Sequence, residues 1–457
     1  MNRIDEILAR QRAFFNTGKT LPMAWRKAAL ERLKGAILAH EGEINDALRA
    51  DLNKSPSETY MCETGMTLAE LSYMKRHMAR WARRRRVLSP LAQFPSASFT
   101  VRNPYGVVLI MSPWNYPFML TMEPLIGAIA AGNCCVVKPS AYAPATSAVI
   151  AKIIGECFDP GHVAVVEGGR QENQALMKQK FDYIFFTGSV SVGREVMRCA
   201  AEHLTPVSLE LGGKSPCVVE ATAKLDLAAR RLAFGKLLNS GQTCVAPDYL
   251  LIDRRVKDEF LTLLGKYLRQ MAGEDALDND SCVRMVSRRH FDRVRALIDP
   301  QKVVIGGRCC EESLRIEPTV MDNVTPDDPV MQEEIFGPVL PVITYATLDE
   351  AIALIKSRPH PLALYLFTED KAVERRFLDG VAYGGGCIND TIIHLATSRM
   401  GFGGVGDSGM GSYHGQRSFD AFSHEKSIVK KSSLIDLPMR YMPYASWKDT
   451  LIRLFLR

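Results

Sequence analysis

The sequence predicts an α/β protein built from two parallel-sheet units, and three observations carry that prediction. Short apolar runs that suit buried parallel strands alternate with helical segments, beginning at Tyr105–Ser112 and Cys134–Lys138. The same pattern starts again after Leu209, with Pro216–Val219, a helical segment and Tyr249–Ile252. The chain of 457 residues is too long for one ordinary core, and its 47% hydrophobic and 24% charged residues exclude the disordered and collagen-like classes.

The individual elements follow from the hydrophobic periodicity. Apolar residues recur at helical spacing between Asp5 and about Arg85, so this region is predicted to be helical. After the boundary at Asn103-Pro104, four apolar runs predict buried strands: Tyr105–Ser112, Cys134–Lys138, Val163–Val166 and Tyr183–Phe186. Helices are predicted at Met122–Ala131, Ser147–Cys157 and Leu225–Leu238.

Charge and cysteine content limit the function classes. The net charge of +6 is a local feature, because five positive residues lie within Arg80–Arg86. We expect Arg83–Arg86 to be a solvated helix end; nucleic-acid binding is a weaker alternative, because no aromatic stacking platform accompanies these arginines. Eleven cysteines without CxxC spacing predict mostly buried thiols and no metal site. No apolar run is long enough to span a membrane and the N-terminus lacks a signal-peptide pattern, so we expect a cytoplasmic protein.

Cys244 is the first candidate for chemistry. It lies in Gly241-Gln242-Thr243-Cys244-Val245-Ala246-Pro247, where glycine and proline predict a constrained loop. Such a loop can expose a sulfur and aim a backbone N–H at the atom that the sulfur attacks. The alternative is a buried structural cysteine, and composition alone does not separate Cys244 from the other ten.

Glu210 and Asn115 are candidates because each follows a predicted strand. Glu210 ends the run Val207–Leu209 before a glycine turn, which suits a base that activates water and then withdraws. Its alternative is an exposed strand-end acid. Asn115, within Pro113–Pro117, can donate its amide to a developing oxyanion at the sheet edge where ligands bind. Its alternative is a rigid turn bracketed by prolines.

A second turn at a strand end is a candidate phosphate site. Phe186–Gly193 predicts a strand, a turn and the start of a helix, so Ser189 and the first amides of the helix can hold a pyrophosphate. Gly188 and Gly193 do not form the GxGxxG pattern, and the dinucleotide signal is therefore weak by itself. The alternative is an ordinary turn between a strand and a helix.

Taken together, these segments resemble the aldehyde dehydrogenase superfamily in order and spacing. The motifs that carry the resemblance are Pro113–Pro117, Lys138-Pro139-Ser140, Phe186–Gly193, Leu209–Pro216, Gly241–Cys244 and Glu333–Pro338. Two further runs, Ala246–Tyr249 and Gly409–Gly415, together with Arg10–Phe15, are similar to the class 3 branch. The resemblance covers roughly residues 5 to 430.

The resemblance implies NAD(P)-dependent oxidation of an aldehyde to a carboxylate. Cys244 would form a thiohemiacetal and then a thioester, Asn115 and the Cys244 amide would hold the oxyanion, and Glu210 would activate water. Because a free thiol is only a few per cent thiolate at pH 7, the site must supply a base or a positive field. For NAD or NADP the resemblance implies contacts from Lys138, Ser189, Glu334 and Phe336. It also implies Glu334 as a second candidate for the base.

The resemblance also implies a domain division and a homodimer. Residues 1–86 and 103–210 would form a Rossmann-like NAD(P)-binding domain, and residues 211–395 a catalytic domain. Residues 87–102 and 396–457 would form a small bridging and oligomerisation element with a C-terminal tail. In that tail Trp447, Leu451, Leu454 and Phe455 share a helical face, near Lys448, Arg453 and Arg457, and we expect it to pack in a core or interface rather than against a membrane.

One departure from the family pattern concerns the cofactor. Ala141 stands where the family usually has a glutamate that accepts hydrogen bonds from the adenosine ribose. Losing a charged acceptor costs about 1.5–3 kcal/mol of preference for NAD. It also removes a charge that repels a 2′-phosphate, so we expect NADP to be used as well as NAD. A second departure, Gly401 in place of proline, predicts a looser loop.

Two rival functions remain at this stage. A CoA-acylating aldehyde dehydrogenase would use CoA in place of water, and Glu210 argues against it because that chemistry needs no water-activating base. A non-catalytic protein that keeps the fold is the other rival, and retention of Cys244, Glu210 and Asn115 together argues against it. Branch resemblance favours medium-chain aliphatic or aromatic aldehydes as substrates.

Overall fold

The computed structural model describes residues 3–456. Its largest features are two mostly parallel sheets flanked by helices. The α-helices lie at Arg3–Asn16, Met23–Ala39, Glu41–Leu52, Pro56–Thr59, Gly65–Trp81, Met119–Ala131, Pro144–Cys157, Arg170–Met177, Val190–Ala201, Leu225–Leu237, Lys257–Ala272, Arg288–Arg295, Leu348–Lys356, Lys371–Gly380, Gln416–Ala421 and Ser446–Phe455. A π-helical turn at Tyr60–Thr64 joins two of the N-terminal helices.

The first sheet has six strands, and the first five along the chain are parallel. In spatial order they are Gly409–Met410, Val207–Glu210, Tyr183–Thr187, Val107–Met111, Cys134–Lys138 and Val163–Val165. Alternate residues of Val107–Met111 enter two different hydrophobic cores, so the strand is buried on both faces. This double burial is why the sequence shows a continuous apolar run rather than an alternating pattern.

The second sheet has seven strands, and all but the outermost strand, Val303–Ile305, run parallel. In spatial order they are Val303–Ile305, Thr319–Met321, Val339–Tyr345, Tyr249–Asp253, Pro216–Val219, Ala363–Phe367 and Gly385–Ile388. A two-stranded sheet, Cys309–Cys310 with Arg315–Ile316, lies apart from it. The α/β fold class predicted from the sequence is confirmed.

A further antiparallel sheet has three strands: Arg85–Val87, Ser96–Pro104 and Ser423–Lys431. The prediction that the arginine run ends a helix was wrong. The helix stops at Trp81, and Arg85 and Arg86 pair with Thr100 and Phe99 in the sheet. These arginines are exposed, as expected of a solvated segment.

Two details differ from expectation. Gly409–Met410, expected in the bridging element, pairs antiparallel with the strand that ends at Glu210 and so belongs to the first sheet. The thiols were expected to be mostly buried, but only Cys134, Cys135, Cys157 and Cys217 are; the other seven are partly exposed, and all eleven are free.

Candidate active site

The site lies at the carboxyl edge of the six-stranded sheet, where the strand order reverses. Val107–Met111 comes first in the chain but lies inside the sheet, and the chain runs outward on one side before it returns to Tyr183–Thr187 on the other. Ligands of open α/β sheets bind in the crevice at such a switch point. Asn115 follows the first of these strands and Ser189 the second, so the structure places both at this crevice.

Two cavities meet at Cys244. The first, called here the polar cleft, is lined by Trp114, Asn115, Thr187, Gly188, Ser189, Glu210, Gly212, Cys244, Glu334 and Phe336, among others. The second, called here the apolar pocket, is lined by Met61, Cys62, Met66, Tyr116, Met119, Phe234, Leu238, Cys244, Ile392, Ile393, Leu395, Phe402, Tyr413 and His414, among others. Cys244 therefore faces one cavity suited to a polar ligand and another suited to an apolar one.

The loop before Cys244 has an unusual backbone. Asn239, Ser240 and Gly241 have φ angles of 52°, 54° and 69°. Left-handed conformations cost non-glycine residues roughly 1–3 kcal/mol each, and such strain is concentrated at functional sites. At Gly241 a Cβ atom would collide with the backbone carbonyl of Gly337. The surrounding contacts thus impose one conformation on the loop that presents Cys244.

The environment of Cys244 keeps its thiol protonated. Burial raises the pKa of this thiol to about 12, and the nearby carboxyl groups of Glu334 and Glu210 add to the rise. The backbone amides of Cys244 and Val245 oppose it by hydrogen bonding to the sulfur. The sequence predicted that the site supplies a base or a positive field. The charged groups that act on the pKa of the Cys244 thiol are the carboxyl groups of Glu334 and Glu210, and these can serve as bases.

Asn115 is tied directly to the cysteine loop. Its side chain is buried, and Nδ2 donates to the carbonyl of Gln242 at 3.1 Å, two residues before Cys244. The side chain of Asn239 donates to the carbonyls of both Asn115 and Gln242 at 2.9 Å. An amide nitrogen carries two protons, so Asn115 keeps one for another acceptor.

Glu210 is a buried carboxyl group without a partner. It is the last residue of its strand and only 2% exposed, so the alternative of an exposed strand-end acid is excluded. Within residues 3–456, neither carboxyl oxygen has a hydrogen-bond partner. Burial raises the pKa of Glu210 well above its usual range. A buried polar group of this kind calls for a functional explanation, and a base beside a reacting cysteine is one.

Glu334 reaches the polar cleft from the second unit. Burial raises its pKa to about 8, Asp248 adds to the rise, and the Gly213 amide opposes it. Gly212 lies against this carboxyl group, where a Cβ atom would collide with it. Phe336, with a φ of 49°, packs its ring edge-on against Trp114 at 5.3 Å between centroids.

A buried ion pair holds the segment that carries Glu334. Lys214 donates to the carboxylate of Asp248 and, at 2.9 Å each, to the carbonyls of Val330 and Glu333. Asp248 in turn accepts from the amide of Ile335 at 2.8 Å. The motifs that contain Lys214 and Asp248 contributed to the family resemblance, but the sequence did not show that these two side chains meet.

The polar cleft fits a dinucleotide. It continues past Ser191 into a further cavity lined by Lys138, Ala141 and Arg170, so the two form one long crevice. Ser189 caps the helix Val190–Ala201, whose N-terminal amides face the crevice and favour a diphosphate.

Three further predicted cofactor residues differ in their surroundings: Gly188 lines the polar cleft, Lys138 lines the cavity that continues it, and Gly193 lines neither. At Gly188 a Cβ atom would lie 2.6 Å from the Phe186 ring, so only glycine fits this turn. Gly193 does not line the cleft; it is buried in the helix against Leu211. Lys138 is buried, which lowers its pKa, and its Nζ donates to the carbonyl of Pro139 at 2.7 Å.

His290 belongs to the cleft but was not found from the sequence. Its ring meets Trp114 edge-on at 4.9 Å and Tyr142 at 5.6 Å, and burial lowers its pKa to about 4. It therefore acts as a neutral aromatic surface at physiological pH. The segment around it shows no pattern that would have signalled this position.

The C-terminal tail forms a helix at Ser446–Phe455 that packs near the short turn Leu91–Gln93. Trp447 and Leu454 are more than half exposed, whereas Lys448 is buried and donates to the carbonyls of Tyr441 and Pro443. Arg457 lies outside the described residues. Over residues 3–456, the chain contains no helix with the length and hydropathy needed to cross a bilayer.

Comparison with known proteins agrees with this geometry. The model of the aldehyde dehydrogenase family matches residues 2–428. The chain is 46% identical to 4,4'-diaponeurosporen-aldehyde dehydrogenase of Staphylococcus aureus, with 97% of each chain covered. It is 42% identical to the dimeric NADP-preferring aldehyde dehydrogenase of Canis lupus familiaris, with 97% of this chain and 98% of the relative covered.

Solved structures give the same result. A substrate-bound state of Staphylococcus aureus AldH superposes with a TM-score of 0.98 at 46% identity, covering 100% of both chains. An indole-3-acetaldehyde dehydrogenase in complex with NAD+ superposes with a TM-score of 0.86 at 28% identity, covering 93% of this chain and 88% of that one.

Proposed function

This chain belongs to the aldehyde dehydrogenase family, and from that membership we propose how its residues carry out the reaction. The enzyme oxidises aldehydes to carboxylic acids with NAD or NADP. The observation that carries the proposal is the position of Cys244, which faces both the polar cleft and the apolar pocket, with the unpartnered carboxyl group of Glu210 lining the same cleft.

The first half of the reaction builds a bond to sulfur. The Cys244 thiol loses its proton to one of the adjacent carboxylates and attacks the aldehyde carbon, forming a thiohemiacetal. Asn115 Nδ2 and the Cys244 amide donate to the resulting oxyanion; removing one such donor costs a factor of about 10²–10³ in rate. The residues that line the polar cleft would hold the nicotinamide cofactor, which when bound would accept the hydride from the former aldehyde carbon. Loss of that hydride as the oxyanion collapses leaves a thioester on Cys244.

The second half of the reaction breaks that bond. Glu210 removes a proton from water, and the hydroxide attacks the thioester carbonyl. Collapse of the tetrahedral intermediate releases the carboxylic acid and the Cys244 thiolate. Positioned bases contribute about 10²–10⁴ in rate. Glu210 suits this role because burial raises its pKa well above its usual range and so makes its carboxylate a stronger base; Glu334 lines the same cleft and can share the role.

The apolar pocket supports apolar substrates. Its lining residues include three methionines and several aromatic and branched side chains, and no Lys, Arg, Asp or Glu. Methionine adapts its shape to irregular ligands. We therefore propose medium-chain aliphatic or aromatic aldehydes. The Staphylococcus aureus relative is named as a dehydrogenase of 4,4'-diaponeurosporen-aldehyde.

Cofactor choice is proposed to include NADP. Ala141, which stands where the family commonly has a carboxylate, lines the far end of the crevice together with Lys138, Arg170 and Glu195, so the pocket offers two positive charges against one negative charge. The relative from dog is named as NADP-preferring.

We also propose that the protein forms a homodimer. The support is the exposed three-stranded sheet, in which Ile428 and Val429 are 38% and 48% exposed. Light scattering that gave twice the mass of 50.8 kDa would agree with the dimer.

We propose that the protein resides in the cytoplasm, because its eleven free thiols are typical of a reducing compartment.

The experiment that tests the mechanism traps the intermediate. Glu210→Gln should form one equivalent of reduced cofactor per active site and then slow by about 10²–10⁴. Mass spectrometry of the quenched variant should find the acyl group on the peptide that contains Cys244. Steady turnover at the native rate, or an acyl group on another cysteine, would contradict the assignment.

A further inference from the structure

Behind the loop that carries Asn115 lies an ion pair with no contact to the polar cleft. Lys54 Nζ and a carboxyl oxygen of Glu63 are 2.5 Å apart, and both side chains are completely buried. Lys54 follows the helix Glu41–Leu52, and Glu63 belongs to the π-helical turn Tyr60–Thr64. Neither residue belongs to the motifs that suggested the family.

The ion pair forms hydrogen bonds to both ends of the five-residue segment from Asn115 to Met119. Lys54 Nζ donates to the backbone carbonyl of Asn115 at 2.9 Å. The other carboxyl oxygen of Glu63 accepts from the amides of Phe118 and Met119 at 3.1 and 2.9 Å. The segment from Asn115 to Met119 is therefore fixed at its first residue by a positive charge and at its last two by a negative one.

Two further contacts place the segment against the cysteine loop. The Lys54 ammonium lies 4.1 Å from the centre of the Tyr116 ring, and the Tyr116 hydroxyl meets the hydroxyl of Thr243 at 2.7 Å. Thr243 immediately precedes Cys244. The contacts of Lys54 thus extend through Tyr116, as well as through Asn115, to the residues beside the reacting sulfur.

Stability alone does not explain this ion pair. Desolvating two charges costs several kcal/mol per ion, and well-packed apolar residues commonly replace such pairs without loss of stability. Burial accordingly raises the pKa of Glu63, and Lys54 opposes that rise. What an ion pair provides and an apolar cluster does not is directional hydrogen bonding to backbone atoms. A group that stabilises an oxyanion has to be held within about 0.5 Å of its productive position.

We propose that Lys54 and Glu63 are positioning residues that hold Asn115 in place for the oxyanion. This inference rests on the role proposed above for Asn115. Lys54 fixes the Asn115 backbone, and Glu63 fixes the start of the helix Met119–Ala131 into which the segment runs. Neither residue contacts the substrate; each acts on the rate through the Asn115 amide.

A double-mutant cycle tests the inference. The double variant Lys54→Met/Glu63→Gln removes both charges and keeps an acceptor for the Phe118 and Met119 amides. It is made in the native chain and in Asn115→Ala. The quantity measured is the rate at which reduced cofactor forms in the first turnover, followed at 340 nm. Steady-state turnover is not used because a later step can limit it.

If the ion pair acts through Asn115, its loss slows the first turnover about 10- to 100-fold in the native chain, less than the factor of about 10²–10³ for complete removal of an oxyanion donor. In Asn115→Ala the same change slows it no more than about twofold, because the group being positioned is already gone. The KM for the cofactor and the alkylation rate of Cys244 should stay within about twofold, which general damage to the fold would not allow.

Controls separate this inference from the role of Asn115. The control variant Lys257→Met/Asp322→Asn removes an ion pair elsewhere in the fold, partly buried and joined at 2.8 Å, and should leave the first turnover unchanged. Equal slowing by the Lys54/Glu63 variant in both backgrounds, or no slowing in either, would overturn the inference. If Asn115→Ala turns over at the native rate, the proposed role of Asn115 itself fails. Should the double variant not fold, Glu63→Gln alone, which keeps the shape of the side chain, goes through the same cycle with the same criteria.

Discussion

The polar cleft and the apolar pocket meet at Cys244, but the chain builds them in different ways. The cleft is assembled largely from the ends of strands in one parallel sheet, where Asn115, Ser189 and Glu210 each follow or end a strand. The pocket draws on helices and loops far apart in the sequence, from Met61 to Tyr413. The shared sheet edge gives the cleft a fixed polar geometry, whereas the pocket provides an adaptable apolar surface. The contrast is consistent with the proposal that Cys244 serves a cofactor in the polar cleft and an aldehyde in the apolar pocket.

The largest expected effect concerns the sulfur between the two regions. Because burial raises the pKa of Cys244 to about 12, its thiolate fraction in the enzyme without cofactor should rise about tenfold per pH unit. Alkylation of the Cys244 peptide by iodoacetamide, followed by mass spectrometry, should therefore increase about 1,000-fold between pH 7 and pH 10. A cysteine in a short peptide, with an ordinary pKa near 8.5, is the control and should level off above pH 9. The same levelling for Cys244 would mean that its surroundings do not suppress the thiolate.

The next effect should be confined to the polar side. Ala141→Glu restores the acceptor for a ribose and introduces repulsion against a 2′-phosphate, so kcat/KM for NADP relative to NAD should fall about 10- to 100-fold. The KM for aldehydes should not change, because Ala141 lies far along the crevice from the apolar pocket. Ala141→Gln, which adds bulk without charge, is the control and should shift the ratio less. A native preference for NAD of 100-fold or more would contradict the proposal that NADP is used.

The smallest effect should be confined to the apolar side. Ile393 lines the pocket and is 53% exposed, so Ile393→Glu should be tolerated by the fold. Losing part of its apolar contact with the substrate should raise the KM for apolar aldehydes about tenfold, while the KM for the cofactor stays the same. Ile393→Val keeps the apolar surface and should change either KM by less than about threefold. If Ile393→Glu raised the KM for the cofactor instead, the two regions would not be separate binding surfaces.

The same contrast explains what the sequence could and could not predict. Strands of a parallel sheet end at one edge, so strand-end residues such as Asn115 and Glu210 could be placed together before the structure was known. Cys244 became a candidate through the glycine and proline of its loop, but only the family resemblance separated it from the other ten cysteines.

Partners brought together from distant parts of the chain were not predictable. The meeting of Lys54 with the loop at Asn115, and of Lys214 with Asp248, depends on how whole elements pack. The strand at Arg85–Val87 was missed because three exposed residues carry no alternating pattern; their pairing with residues 98–100 defines them. The number of buried thiols was also overestimated, because composition does not indicate where in the fold each cysteine lies.

The most direct test of the shared role of Cys244 compares it with a second thiol. Cys62 also lines the apolar pocket, and burial raises its pKa to about 12 as well, so the two thiols differ in location rather than in acidity. Only Cys244 also lines the polar cleft. The measurement is reduced-cofactor formation at 340 nm with a panel of aldehydes, with NAD and NADP in parallel, for Cys244→Ala and Cys62→Ala. We expect no turnover in Cys244→Ala and nearly native turnover in Cys62→Ala. Turnover that survives in Cys244→Ala, or is lost only in Cys62→Ala, would contradict the assignment of Cys244 as the nucleophile.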